Sequence, residues 1–136
     1  MKVLIDTNIW ISFMIGKRLS SLNAVLNNNN VQVYVCKELL DEIKEVTTRP
    51  KFTQLISSET RYYAFEMIYD TCRFAETTVE AVSPIRDLKD VYLLSFAESV
   101  PVDYIVSGDK DLKELKEHNG IPILSYSEFL NKINEL

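Results

Sequence analysis

The chain holds one histidine, two cysteines and three glycines in 136 residues, and each scarcity removes a class of chemistry. With His118 alone, two-histidine acid–base catalysis and the usual histidine-rich zinc sites are excluded. Cys36 and Cys72 form neither a CxxC pair nor a disulfide framework, which points to a reducing compartment. Gly16, Gly108 and Gly120 do not make a GxGxxG or GxxxxGK[ST] phosphate loop, and no GxSxG nucleophile elbow occurs. Long hydrophobic runs are missing too: Ile9–Ile15 is far short of a membrane span and carries Ser12. Asp6 stands where a signal peptide needs apolar residues, so a cytoplasmic protein with no membrane partner is expected.

What the chain does have is carboxylate, 20 Asp and Glu against 15 Lys and Arg, for a net charge of −5. At 46% hydrophobic and 26% charged it has the composition of an ordinary soluble protein. Residues 1–136 are enough for a single compact domain. A domain of this size buries roughly two-thirds of its unfolded surface and needs no disulfide or structural metal. The bases gather locally (Lys17 and Arg18; Arg49 and Lys51; Arg86 and Lys89; Lys110, Lys113 and Lys116), a pattern usual for solvated surface. Nucleic acid is allowed as a substrate, but tight nonspecific binding through a basic face is not expected.

Short apolar runs alternate with helical periodicity. Lys2–Ile5, Val31–Val35, Arg73–Glu76, Tyr104–Val106 and Pro122–Leu124 read as strands. Helices are expected near residues 9–15, 20–27, 37–48, 53–70, 88–99 and 111–118, with a last one from Ser127. Strands separated by helices predict an α/β fold with a central, mainly parallel sheet of four to five strands flanked by helices. Asn27–Asn30 reads as a loop, and Arg49-Pro50 ends a helix. Tyr62, Tyr63, Phe65, Met67, Ile68 and Tyr69 load one helix with aromatic weight, either as core or as an exposed patch for a partner.

In a parallel α/β sheet the functional crevice lies beyond the carboxyl ends of the strands. Asp6 directly follows Val3-Leu4-Ile5, and Asp109 follows Tyr104-Ile105-Val106 through Ser107-Gly108. Either aspartate could instead be a helix N-cap. Asp90 shares a helix face with Leu93, Leu94 and Ala97, at about 100° per residue, which turns a carboxylate toward the core. The structural alternative is Asp87 as N-cap with Asp90 in the first turn. On the helix around 37–48, Glu42 lies at the edge of the stripe formed by Leu39, Leu40, Ile43 and Val46, while Glu38, Asp41 and Glu45 lie further round. Asp6, Glu42, Asp90 and Asp109 converging without matching bases would repel one another. A hard divalent cation, Mg²⁺ or Mn²⁺ rather than Zn²⁺, is the physical remedy. Such a site suits hydrolysis at a phosphoryl centre.

With these residues in view the chain resembles the PIN-domain nucleases. Val3-Leu4-Ile5-Asp6-Thr7-Asn8, Leu39-Leu40-Asp41-Glu42-Ile43, Asp87-Leu88-Lys89-Asp90-Val91-Tyr92-Leu93-Leu94 and Val106-Ser107-Gly108-Asp109-Lys110-Asp111-Leu112 follow that family's four acidic blocks in order. Arg49-Pro50-Lys51-Phe52 and Gly120-Ile121-Pro122-Ile123-Leu124 are similar to its branch of toxin components of prokaryotic toxin–antitoxin pairs. The resemblance covers residues 2–130, and it is the four blocks together, not any one, that are specific. It implies a Rossmann-like single PIN domain, a homodimer, and Mg²⁺- or Mn²⁺-dependent cleavage of RNA held in check by a cognate antitoxin. It also implies Asp6, Asp90 and Asp109 as metal-binding aspartates, Glu42 as the family's acidic helix residue, and Asp111 as an aid to Asp109. Leu88 and Val91 depart from the proline and polar residue that related sequences often carry there, which argues against a role for Asp87.

Other readings fit less well. A receiver domain needs an adjacent acidic pair after the first strand, where Thr7 follows Asp6. A haloacid-dehalogenase-like phosphatase needs Asp-x-Asp there, and Asn8 occupies the second place. A degenerate PIN domain acting as an RNA- or protein-binding module is the surviving non-enzymatic alternative.

Overall fold

Val3, Leu4 and Ile5 are wholly shielded from solvent, as a strand flanked on both edges and covered on both faces must be. In the computed structural model, which describes residues 1–83 and 88–136 (the side chains of residues 88 and 89 excepted), this strand, β1 (Lys2–Ile5), lies near the middle of the sheet. The expectations placed on Asp87 as a cap and on the Arg86–Lys89 base pair lie outside the described residues.

The chain leaves β1 through α1 (Thr7–Ile15) and α2 (Leu19–Leu26) to β2 (Gln32–Val35), then through α3 (Lys37–Thr47), α4 (Pro50–Thr53) and α5 (Ser58–Thr71) to β3 (Arg73–Phe74). It returns by α6 (Leu88–Ser99) to β4 (Tyr104–Val106), then runs α7 (Lys110–Leu115), β5 (Glu117–His118), β6 (Ile121–Leu124) and α8 (Tyr126–Asn134). Among the described residues the strands form one sheet in the order β3-β2-β1-β4-β6-β5. The five expected strands run parallel to one another, and β5 adds an antiparallel edge beside β6. From β1 the chain builds outward to β2 and β3, then crosses back to place β4 on the other side. The gap between the carboxyl ends of β1 and β4 is therefore the topological switch point, where such sheets bind ligands.

The helices follow their apolar positions. On α3, Leu39, Leu40 and Ile43 are buried and Glu38, Asp41 and Glu45 are exposed. The helix α1 is buried nearly all round, and its Trp10 donates an indole hydrogen bond of 3.1 Å to the Ile5 carbonyl. That bond fixes the corner at which β1 becomes α1.

Two elements differ from the sequence expectation. The helix expected over 53–70 starts later, at Ser58, where Ser57 caps α5 by accepting from the Thr60 amide; Pro50 opens a separate one-turn helix, α4, that ends at Thr53. The helix expected over 111–118 stops at Leu115, where the next residue, Lys116, takes positive φ (62°); Asn119 and Gly120 (49° and 79°) then reverse the chain in the β5–β6 hairpin. Of the aromatic residues on α5, Tyr62, Tyr63 and Tyr69 are exposed, and Ala64, Met67 and Ile68 supply the buried face. Among the described residues no helix is long and apolar enough to cross a membrane.

Replacing Trp10 with Phe should leave the Ile5 carbonyl unsatisfied in a dry corner. We expect a loss of about 1–3 kcal/mol in unfolding free energy, read by urea denaturation followed by circular dichroism. An unchanged midpoint would show that the corner is held by packing alone.

Candidate functional site

The β1–β4 register aligns Ile5 with Val106, which brings the next residue of each strand, Asp6 and Ser107, side by side. Both are buried. The Asp6 amide donates to the Val106 carbonyl at 2.9 Å, and the Ser107 hydroxyl donates to Asp6 Oδ2 at 2.7 Å. The same hydroxyl accepts from the Asp109 amide at 2.9 Å, so one serine positions both aspartate-bearing turns.

Asp6 occupies the N-cap position of α1, yet its side chain makes no capping bond there. Asp109 does cap: Oδ1 accepts from the amides of Asp111 at 2.8 Å and Leu112 at 3.1 Å. The capping alternative thus holds for one of the two aspartates, and Asp109 Oδ2 takes no part in that cap.

Electrostatics mark the cluster. Burial raises the Asp6 carboxyl to about 6; the Ser107 hydroxyl and the Thr7 amide oppose that rise, while the negative charges of Glu42 and Asp109 add to it. Three carboxylates from β1, α3 and the end of β4 therefore share one field. No Lys or Arg ion pair reaches any of the three among the described residues. On α3, Asp41 and Glu45 are instead paired with Lys37 and Arg49 at 2.8 and 2.7 Å on the exposed side.

Glu42 turns inward, as its position on the helix edge implied. It is half-buried and accepts from the Tyr92 hydroxyl at 3.1 Å. Burial and then the Glu42 charge hold that phenol well above the ordinary tyrosine range, so it stays protonated and donates. The Tyr92 hydroxyl also faces Thr7, but outside bonding geometry, and Thr7 Oγ1 is left buried without a hydrogen-bond partner among the described residues. Asp90 sits in the first turn of α6, half-buried, while Leu93, Leu94 and Ala97 on the same face are fully buried. Through Tyr92, α6 is tied to Glu42. The Asp111 side chain is exposed; its backbone amide, not its carboxylate, supports Asp109.

Ser107, Tyr92 and Thr7 carry no role in the sequence reading, although all three lie inside its acidic blocks. A hydroxyl immediately after a strand, two residues before an expected aspartate, is the available signal for Ser107. The cysteines contribute no nucleophile, since burial pushes the Cys36 thiol up to about 12 and that of Cys72 up to about 11.

The donor set can be tested against a cation. Its atoms are hard carboxylate oxygens with uncompensated charge, beside an unpartnered buried hydroxyl, which fits Mg²⁺ or Mn²⁺ in chemistry. Among the described residues no group of three or more His, Cys, Asp or Glu side chains is arranged to hold a metal ion. Mg²⁺ commonly takes only one or two direct carboxylates and keeps several waters, so a site of this kind does not need such a group.

The sequence model of the PIN domain matches residues 2–111, and the chain belongs to the PIN-domain family. Its fold is similar to that of a chain in the VapBC2 complex of Rickettsia felis, a structure bound to a DNA fragment from the promoter, with a TM-score of 0.57 at 13% identity. That match covers 93% of this chain and 99% of the other. The PIN domain of RRP44 from T. brucei aligns with a TM-score of 0.49 at 12% identity, over 98% of this chain and 80% of that one. Among curated proteins no relative matches.

The raised Asp6 carboxyl carries a stability consequence. A folded-state value of about 6 against 3.8 means the folded form binds the proton more tightly than the unfolded chain. This contribution is full below the unfolded value and is lost as pH climbs through the folded one. Metal-free protein should therefore lose stability between about pH 4 and pH 6 on this account, and Asp6→Asn should flatten that slope. At pH 7 the variant should exceed the parent by about 1–3 kcal/mol. Urea unfolding across that range in chelator measures both, and identical slopes would refute the electrostatic cluster.

Proposed function

We propose that this chain is a Mg²⁺- or Mn²⁺-dependent endoribonuclease, the toxin of a toxin–antitoxin pair, acting in the cytoplasm. The observation that carries the reading is the shared field of Asp6, Glu42 and Asp109 at the switch point of the sheet, with Asp6 held high by burial and like charge. Membership of the PIN-domain family points the same way.

In this reading Asp6, Asp90 and Asp109 bind the metal, with Glu42 and Asp111 beside them. The chemistry a dication supplies when bound is neutralisation of phosphodiester charge and activation of water near neutral pH. The chain's own part is positioning. Ser107 orients Asp6 and the Asp109 turn together, and the α7 amides hold Asp109 Oδ1. Tyr92 orients Glu42, whose half-buried carboxylate would take a proton from the attacking water in this reading. Lys110 and Lys113, directly after Asp109, offer charge to an RNA backbone.

An antitoxin is supported by the toxin–antitoxin name of the similar complex; an arginine laid against the carboxylates would neutralise them as a metal does. A homodimer is supported by the exposed aromatics on and after α5, where Tyr69 stacks on Phe74 at 5.4 Å between ring centroids. The second reading is a PIN domain that binds RNA or protein without cutting.

Purified protein should cleave RNA with Mg²⁺ or Mn²⁺ and not with chelator. Asp6→Asn and Asp90→Asn should each cost more than ~100-fold in rate, and Ser107→Ala about 10–100-fold. Mn²⁺ should raise the melting temperature of the parent and much less that of Asp90→Asn. Expression of the parent should slow growth and that of Asp6→Asn should not. Binding of RNA with no cleavage under either metal would leave the binding module.

A further inference from the structure

Beside the acidic cluster, α3, α6 and the extended segment after β3 line an open, solvent-facing pocket of about 290 Å³. This is close to the lower end of small-ligand pockets, roughly 300–1,000 Å³. Val79, Val91 and the ring of Tyr92 give it apolar walls, while Glu38, Glu80 and Thr77 bring polar groups to it. The hydroxyl of Tyr92 donates to Glu42, so one side chain is shared between this cavity and the cluster. The wall formed by the extended segment is fixed in place. The amides of Thr78 and Val79 donate to Ser99 Oγ at 2.8 and 3.2 Å, and that of Ala81 to Ser95 Oγ at 2.9 Å. Ser95 and Ser99 in turn donate to carbonyls on their own helix, those of Val91 and Ser95, so each hydroxyl is committed on both sides.

We propose that this cavity is a nucleobase pocket selecting guanine at the nucleotide next to the scissile phosphate, an inference that rests on the ribonuclease reading above. Two valines and an aromatic ring suit contact with an unstacked base, the form in which single-stranded RNA is read. The hydrogen-bonding groups then choose among bases. Ionised carboxylates only accept. Guanine alone presents two adjacent donors, N1–H and the N2 amino group, on its Watson–Crick edge, matching the two oxygens of one carboxylate. Adenine and cytosine place an acceptor next to their amino group. Uracil flanks its single donor with carbonyl oxygens, which Glu38 and Glu80 repel. Selection of this kind gives an otherwise sequence-blind hydrolytic site a preferred cutting position.

Nucleosides test the pocket without phosphate or metal. In NMR titrations of metal-free protein, guanosine should shift the signals of Val79, Val91 and Tyr92 and bind at least ~10-fold more tightly than uridine or inosine. Glu80→Gln should bring guanosine and uridine to near parity, and Val79→Trp, at an exposed position, should fill the cavity and abolish guanosine binding. Glu38→Gln serves as the second test of the carboxylates should Val79→Trp fail to fold. Equal affinities in the parent, no binding, or guanosine binding undiminished in Val79→Trp would overturn the pocket. Oligonucleotides differing at one base beside the cut tell substrate from free nucleoside: a guanine preference at that base in the parent, lost in Glu80→Gln, supports the proposal. Guanosine binding without positional preference overturns its substrate part. Guanosine binding with no RNA cleavage at all removes the ribonuclease reading and that substrate part together, while leaving the pocket.

Discussion

A carboxylate held where water is scarce is the constraint around which the carboxyl edge of this sheet is arranged. Burying ionised Asp6 is unfavourable, and its neighbours Glu42 and Asp109 make it more so. The larger offset comes from one hydroxyl, with the Thr7 amide adding to it: Ser107 bonds the carboxylate and simultaneously receives the Asp109 amide. That arrangement requires β1 and β4 to be adjacent, parallel and in register to the residue, since a slip of one position would turn Ser107 to the other face. The wholly buried Val3, Leu4, Ile5, Ile105 and Val106 set that register. Core packing thus supplies the free energy that holds an unfavourable charge in place, a local conflict of the kind that marks functional sites.

Capping a helix and sharing in the acidic field are not alternatives in this fold. Asp109 does both: one oxygen caps α7, and its charge adds to the rise of the Asp6 carboxyl. Asp6 stands at an N-cap position and gives its side chain to Ser107 instead. What separates them is the neighbour across the sheet, and residue type at the helix start is the same in both.

Much of the fold is legible in the sequence because its signals are local and repeated. Short apolar runs place the five parallel strands, and the edge position of Glu42 on α3 follows from helical periodicity, with Asp41 and Glu45 on the solvated side. The break between α4 and α5 is masked, although Ser57 is a good cap, because the aromatic weight of residues 62–69 dominates the pattern. Tyr62, Tyr63 and Tyr69 are exposed since Ala64, Met67 and Ile68 already fill the space above the sheet. The β5 strand is hidden by charged residues over 110–117 that look helical, and the Asn119-Gly120 signal lies just beyond them. Ser107 and Tyr92 are illegible for a deeper reason. Their partners, Asp6 and Glu42, lie 101 and 50 residues away, and only the assembled sheet brings them together.

That separation has a consequence for the chain while it is being made. The hydrogen bond joining the first strand to the turn after the fourth spans 101 residues, so Asp6 leaves the ribosome long before Ser107 is translated. Until then one edge of β1 has no neighbour, and Val3, Leu4 and Ile5 are open to other strands. Closing so long a loop is also the slow part of folding for such a topology. A growing polypeptide consequently carries its first carboxylate unpaired and solvated for most of synthesis, and a truncated product ending before β4 cannot assemble the three-carboxylate field. The field at the carboxyl edge is thus withheld from the nascent chain by topology alone.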